Sequence, residues 1–90
     1  MPQKFEKDPD ARLDYPIDWS DWLEGDTIST STWEADSDDI TIDDDQIVSD
    51  YTVVWLEDGI VNEDYRITNH IVTSAGREDD RTITIRVREK

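Results

Sequence analysis

Alternation of apolar and polar residues is the dominant pattern in this chain. Leu13, Tyr15, Ile17 and Trp19 alternate with Asp14, Pro16, Asp18 and Ser20, the period of two expected of a strand with one face buried and one face wet. Pro16 has no N–H to give to a ladder, which places this strand at a sheet edge. Ser20 to Gly25 predicts a turn or a single helical turn, with Ser20 as its cap and Gly25 as its terminator. A second strand covers Thr27 to Trp33, rich in Ser and β-branched Thr. Ile28 and Trp33 are five apart and fall on opposite faces of a regular strand, so either a bulge intervenes or one of them points outward.

Ile40 and Ile42 interrupt an acidic stretch over 36–50 and suggest a short third strand. Tyr51 to Leu56 is a fourth, closed by the turn Glu57-Asp58-Gly59, with Val54 and Leu56 chosen for the core and Val53 and Trp55 for the other face. Tyr65 to Thr73 places Tyr65, Ile67, Asn69 and Ile71 on one face. After a loop containing Gly76, Arg81 to Arg88 places Ile83, Ile85 and Val87 on one face and Thr82, Thr84, Arg86 and Arg88 on the other. Residues 1–12, with Pro2, Pro9 and balanced charge, show no periodicity and read as an extended N-terminal arm preceding a domain over 13–90.

Six to seven short strands separated by turn signals, with no helical pattern of useful length, predict an all-β fold. The expected architecture is a single antiparallel immunoglobulin-like or fibronectin-like β-sandwich. Tyr65, at the entry to the penultimate strand, stands where such folds carry a tyrosine whose hydroxyl ties back to the upstream backbone.

Composition narrows this reading. Ninety residues support one core and not two. The apolar fraction of 34% is low, but four Trp, three Tyr and one Phe supply large units of burial. Cysteine is absent, so neither disulfides nor thiolate metal sites contribute. No apolar run approaches the length of a membrane span, and the opening residues lack the apolar block of a secretory signal. The net charge of −15 is unevenly placed: residues 13–65 hold seventeen Asp and Glu with no Lys or Arg, whereas the C-terminal hairpin is slightly basic. Such a surface repels phosphate, which argues against nucleic acid as a partner. The arm and the basic hairpin are the expected contacts with acidic neighbours.

Catalytic equipment is not visible. His70 is the one histidine and falls on the outward side of its strand with Arg66, Thr68 and Val72. Paired carboxylates are too abundant to single out an acid and base. Asp36 to Asp39 and Asp43 to Asp45 offer oxygen ligands but lack the glycine and distal glutamate of a calcium loop, and no metal or cofactor is expected. Aromatic residues beyond what a thin core holds suggest an interface. Phe5, Tyr15, Trp19, Trp22, Trp55, Arg86 and Arg88 are the candidate contact residues, with Trp22 and Trp55 the tryptophans expected to reach the surface.

The run from Asp14-Tyr15 through Asp18-Trp19-Ser20, Trp22-Leu23 and Asp26-Thr27-Ile28 to Thr32-Trp33 resembles the opening of a family of small tailed-phage virion proteins. Val54-Trp55-Leu56, Gly59, Tyr65, Thr73-Ser74-Ala75-Gly76-Arg77 and Asp79 to Val87 resemble its closing half. The resemblance implies an immunoglobulin-like virion structural protein that acts as a tail or fibre adaptor. It implies partners among other virion proteins and further copies of itself, and no catalytic residues. A capsid cement (decoration) protein is the second role within that class. A carbohydrate- or protein-binding surface module is the alternative outside it. The acidity of residues 34–50 departs from the family pattern.

Overall fold

The computed structural model describes residues 3–89 and carries seven strands and one helical turn. In chain order these are β1 (Gln3–Lys7), β2 (Leu13–Asp18), α1 (Ser20–Leu23), β3 (Ile28–Ala35), β4 (Ile40–Val48), β5 (Tyr51–Asp58), β6 (Asp64–Thr73) and β7 (Glu78–Val87). They form two sheets, one of order β1-β7-β6-β3 and one of order β2-β5-β4. The all-β sandwich read from alternation is therefore the fold.

Between the sheets lie Tyr15, Ile17, Trp19, Leu23, Ile40, Val54, Leu56, Tyr65, Ile67, Ile71, Ile83, Ile85 and Val87. Each aliphatic side chain buried this way contributes about 1.5–3 kcal/mol. The faces predicted for β5, β6 and β7 are the buried ones: Val54 and Leu56 are buried and in the core, Ile67, Ile71, Ile83, Ile85 and Val87 likewise, and Trp55 is half-buried on the opposite side of β5. β2 is an edge strand, as Pro16 requires. The anticipated irregularity in β3 is a register shift between Ile28 and Thr30. It lets both Ile28 and Trp33 pack against the core.

Three elements differ from the sequence reading. Residues 3–7 of the expected arm are a strand, β1, paired parallel to β7 from Gln3 beside Ile83 to Lys7 beside Val87; Met1 and Pro2 lie outside the described residues, as does Lys90. Its pattern is masked because an inward position is Lys7, fully buried, whose ammonium donates to the carbonyls of Asp8 at 2.9 Å and Asp58 at 2.8 Å. Burial pushes that ammonium below its ordinary pKa, against nearby acids led by Asp58 that pull it up. β4 runs to Val48, well beyond Ile42, because β5 supplies its ladder through a second bulge between Ile42 and Asp44. In α1, Ser20 does not cap. Trp19 occupies the cap position, and the Ser20 N–H donates to Asp18 Oδ1 at 2.9 Å.

The tyrosine at the entry to β6 does what its position suggests, accepting the Ile60 N–H on its hydroxyl at 2.9 Å. Gly59 beside it has φ +104°, and a Cβ there would stand 2.7 Å from Val87 Cγ2. A side chain is excluded at this corner by both backbone conformation and space.

Candidate docking surfaces

The seven candidate contact residues separate into core and surface. Tyr15 and Trp19 are interior, 5% and 0% exposed, so neither can meet a partner directly. Their alternation with Ile17 had already put them on the same inward side, Tyr15 within β2 and Trp19 just after it, and the interior offers what their polar atoms need. The Tyr15 hydroxyl donates to the Glu6 carbonyl at 3.2 Å, and desolvation, helped by Asp14, pushes its pKa up to about 12. The Trp19 indole N–H is shared between Thr52 Oγ1 and Asn69 Oδ1, each at 3.1 Å.

Phe5 is half-buried against Tyr15, with ring centroids 5.1 Å apart. Trp22 packs edge-on to Trp19 and lies under the Arg77 guanidinium, 4.3 Å from the ring centre. Arg77 also donates to the carbonyls of Trp22 and Leu23 and pairs with Asp26. Trp55 lies under Arg12 at 4.4 Å. Both tryptophans expected at the surface are thus half-buried and shielded on one face by an arginine. Arg86 pairs with Asp64 at 3.2 Å and Arg88 with Glu6 at 3.1 Å, so the basic hairpin is engaged within the chain.

Outside the core the two sheets present contrasting faces. On the four-stranded sheet the outward residues of β6 and β7 are polar apart from Val72. Thr68 and Thr82 hydrogen-bond at 2.9 Å, and His70 is held between Glu78, at 2.9 Å, and Asp80. Those carboxylates raise the His70 pKa above its ordinary value, Asp80 most. A shallow groove on this face is lined by Glu34, Ala35, Asp36, Arg66, Thr68, Thr82 and Thr84.

On the three-stranded sheet, Thr52, Val54 and Leu56 of β5 point inward and are fully buried, so Tyr51, Val53 and Trp55 point outward. In register, Asp14, Pro16 and Asp18 flank them from β2, and Asp44, Gln46 and Val48 from β4. Sequence reasoning assigned Trp55 and Val53 to this face but missed Val48 and Tyr51. The signal was available in the strict alternation of β5, and was hidden on β4 by its bulge. Among the described residues no group of three or more His, Cys, Asp or Glu is placed to hold a metal ion, and no helix is long and apolar enough to cross a membrane.

Fold and surfaces together define an immunoglobulin-like β-sandwich whose distinguishing features are its outer faces. The solution structure of the PKD domain from KIAA 1837 protein has the same fold, at 16% identity over 99% of this chain and 81% of that one, with a TM-score of 0.54. No curated protein gives a match. The family model described as podophage GP4 fiber-tail adaptor protein gp77 matches residues 7–86, and the chain belongs to that family. The tailed-phage resemblance of the sequence motifs is borne out.

Proposed function

We propose that this protein is a non-enzymatic structural component of a podophage virion, present in several copies and joining a fibre to the tail. The observation that carries this reading is the family match over nearly the whole chain. The surfaces agree with it. Flat sheet faces suit protein docking, His70 is occupied on the surface by two carboxylates, and the acid excess disfavours nucleic acid as a partner. Of the candidate contacts, Phe5, Trp22, Trp55, Arg86 and Arg88 keep exposed surface and are proposed for partner contact.

Proteomics and imaging of purified particles test the assignment. The protein is expected in virions, at a density between the tail and its fibres. Its absence from particles would defeat the reading, and a copy number in the hundreds, about that of a capsid lattice, would replace the adaptor by a cement protein.

A further inference from the structure

We propose that the outer face of the three-stranded sheet docks a different virion protein, through a patch on that partner that is apolar at its centre and rimmed by Lys and Arg. That the partner is a virion protein rests on the adaptor reading; the face and its chemistry come from the structure.

The outward side of a small sandwich is ordinarily polar, and on the four-stranded sheet β6 and β7 follow this with Val72 as their one apolar outward residue. Here the central strand instead presents Trp55, Val53 and Tyr51 in a column, widened by Pro16 on one side and Val48 on the other. Val48 is 50% exposed and Tyr51 42%. Val53 is 8% exposed yet stands apart from the core between the sheets. Such a patch is the pattern of a protein contact.

Charge selects the occupant. Asp14, Asp18 and Asp44 stand around the apolar column. Asp18 is held below the usual carboxylate range by the Ser20 side chain and N–H, and by the Tyr51 hydroxyl among smaller contributions, so it stays ionised. Arg12 reaches this face, but its charge is taken up by Asp43 and by Glu57 at 3.3 Å while it lies on Trp55. Arg81 stands at one end of the rim, donating to the Asp18 carbonyl at 2.8 Å, and the three aspartates outnumber it, so the rim is negative. Two copies joined here about a two-fold axis would set these carboxylates against themselves. A head-to-tail copy would offer the four-stranded face, where threonine hydroxyls replace apolar groups and Arg86 is already paired with Asp64. A basic-rimmed, apolar-centred surface of another protein satisfies both features.

The test uses full-length protein added to phage particles assembled without it, with bound protein measured after sedimentation. The double variant Val48→Asp/Tyr51→Ser should bind at least about tenfold more weakly at an unchanged unfolding midpoint, since exposed hairpin positions bear little of the core. Arg66→Ser, on the opposite face, should bind like the unaltered protein. Asp14→Asn/Asp44→Asn should bind more weakly and show a flatter decline between about 50 and 500 mM salt. A folded Val48→Asp/Tyr51→Ser variant that binds normally, with loss confined to Arg66→Ser, overturns the docking face and leaves the adaptor reading standing. Unaltered protein that never sediments with particles overturns both. Self-association of the protein alone, abolished by Val48→Asp/Tyr51→Ser, makes the occupant a second copy and overturns the proposal.

Discussion

Asn69 joins the two sheets through side chains. It sits on β6 with no exposure. Its Oδ1 accepts from Thr52 Oγ1 at 2.6 Å and from Trp19 Nε1 at 3.1 Å, and its Nδ2 donates to Ser31 Oγ at 2.8 Å and the Thr32 carbonyl at 3.0 Å. β3 and β6 belong to one sheet and β5 to the other, with Trp19 just beyond the end of β2, so one amide fixes the relative position of the two sheets. Asn69→Leu keeps the volume but strips the acceptor from the buried Thr52 hydroxyl and the donor from the Thr32 carbonyl. We expect a loss of about 2–4 kcal/mol, because buried polar groups left unpaired are penalised in full. Thr68→Val, at the half-buried threonine pair, should lose under about 1 kcal/mol. Urea unfolding followed by Trp fluorescence compares them; equal losses would show that the network contributes nothing beyond an ordinary hydrogen bond. The same network explains why Trp19 was misread as a contact residue. Sequence shows an aromatic excess, but the acceptors that let an indole be buried completely come from 33 and 50 residues further along.

Among the elements, the β6–β7 hairpin carries a charge clamp whose histidine is shifted upward by its two carboxylates. His70 faces Glu78 and Asp80 across the hairpin and stands opposite Thr32 of β3. Its pKa is raised in the folded chain, first by hydrogen bonding to Asp80. Stability from this contact is therefore fully present below the unfolded value of 6.5 and is lost as pH rises through the higher folded value. The unfolding midpoint of the protein should fall relative to His70→Gln over that window, and an NMR titration should place the imidazole pKa above 6.5. Identical pH profiles for the two proteins would show that the clamp is open in solution. Strands like β6 and β7 were legible because inward and outward residues differ in kind. β1 was not, since Lys7 stands at an inward position and is satisfied by two carbonyls. The second half of β4 was not either, since Asp44, Asp45 and Gln46 belong to no apolar face and are held by the ladder to β5. The bulge in β3 was legible as a conflict: two apolar residues five apart cannot share a face without one.

At the scale of the whole molecule, the excess of acid acts on folding and on assembly with opposite signs. Net charge is −15, with 24 acidic residues against 9 basic ones. Arg12, Arg77, Arg86 and Arg88 are already paired, and the acids outnumber the bases by 24 to 9, so the folded chain concentrates like charge that the unfolded chain disperses. Raising NaCl from about 10 to 150 mM shortens the screening length from about 30 to 8 Å and relieves that repulsion. The exposed ion pairs weaken as well, but each is worth at most about 1 kcal/mol. We expect the repulsive sum to prevail and the thermal midpoint to rise by about 4–8 °C, the shift corresponding to roughly 1 kcal/mol in a domain of this size. Docking to a basic-rimmed partner should weaken over the same range, because attraction between unlike patches is screened by the same ions. A midpoint that falls with salt would mean that the ion pairs outweigh self-repulsion. The opposition of signs separates the two effects: salt that loosens the fold would lower both quantities together, whereas screening raises one and lowers the other.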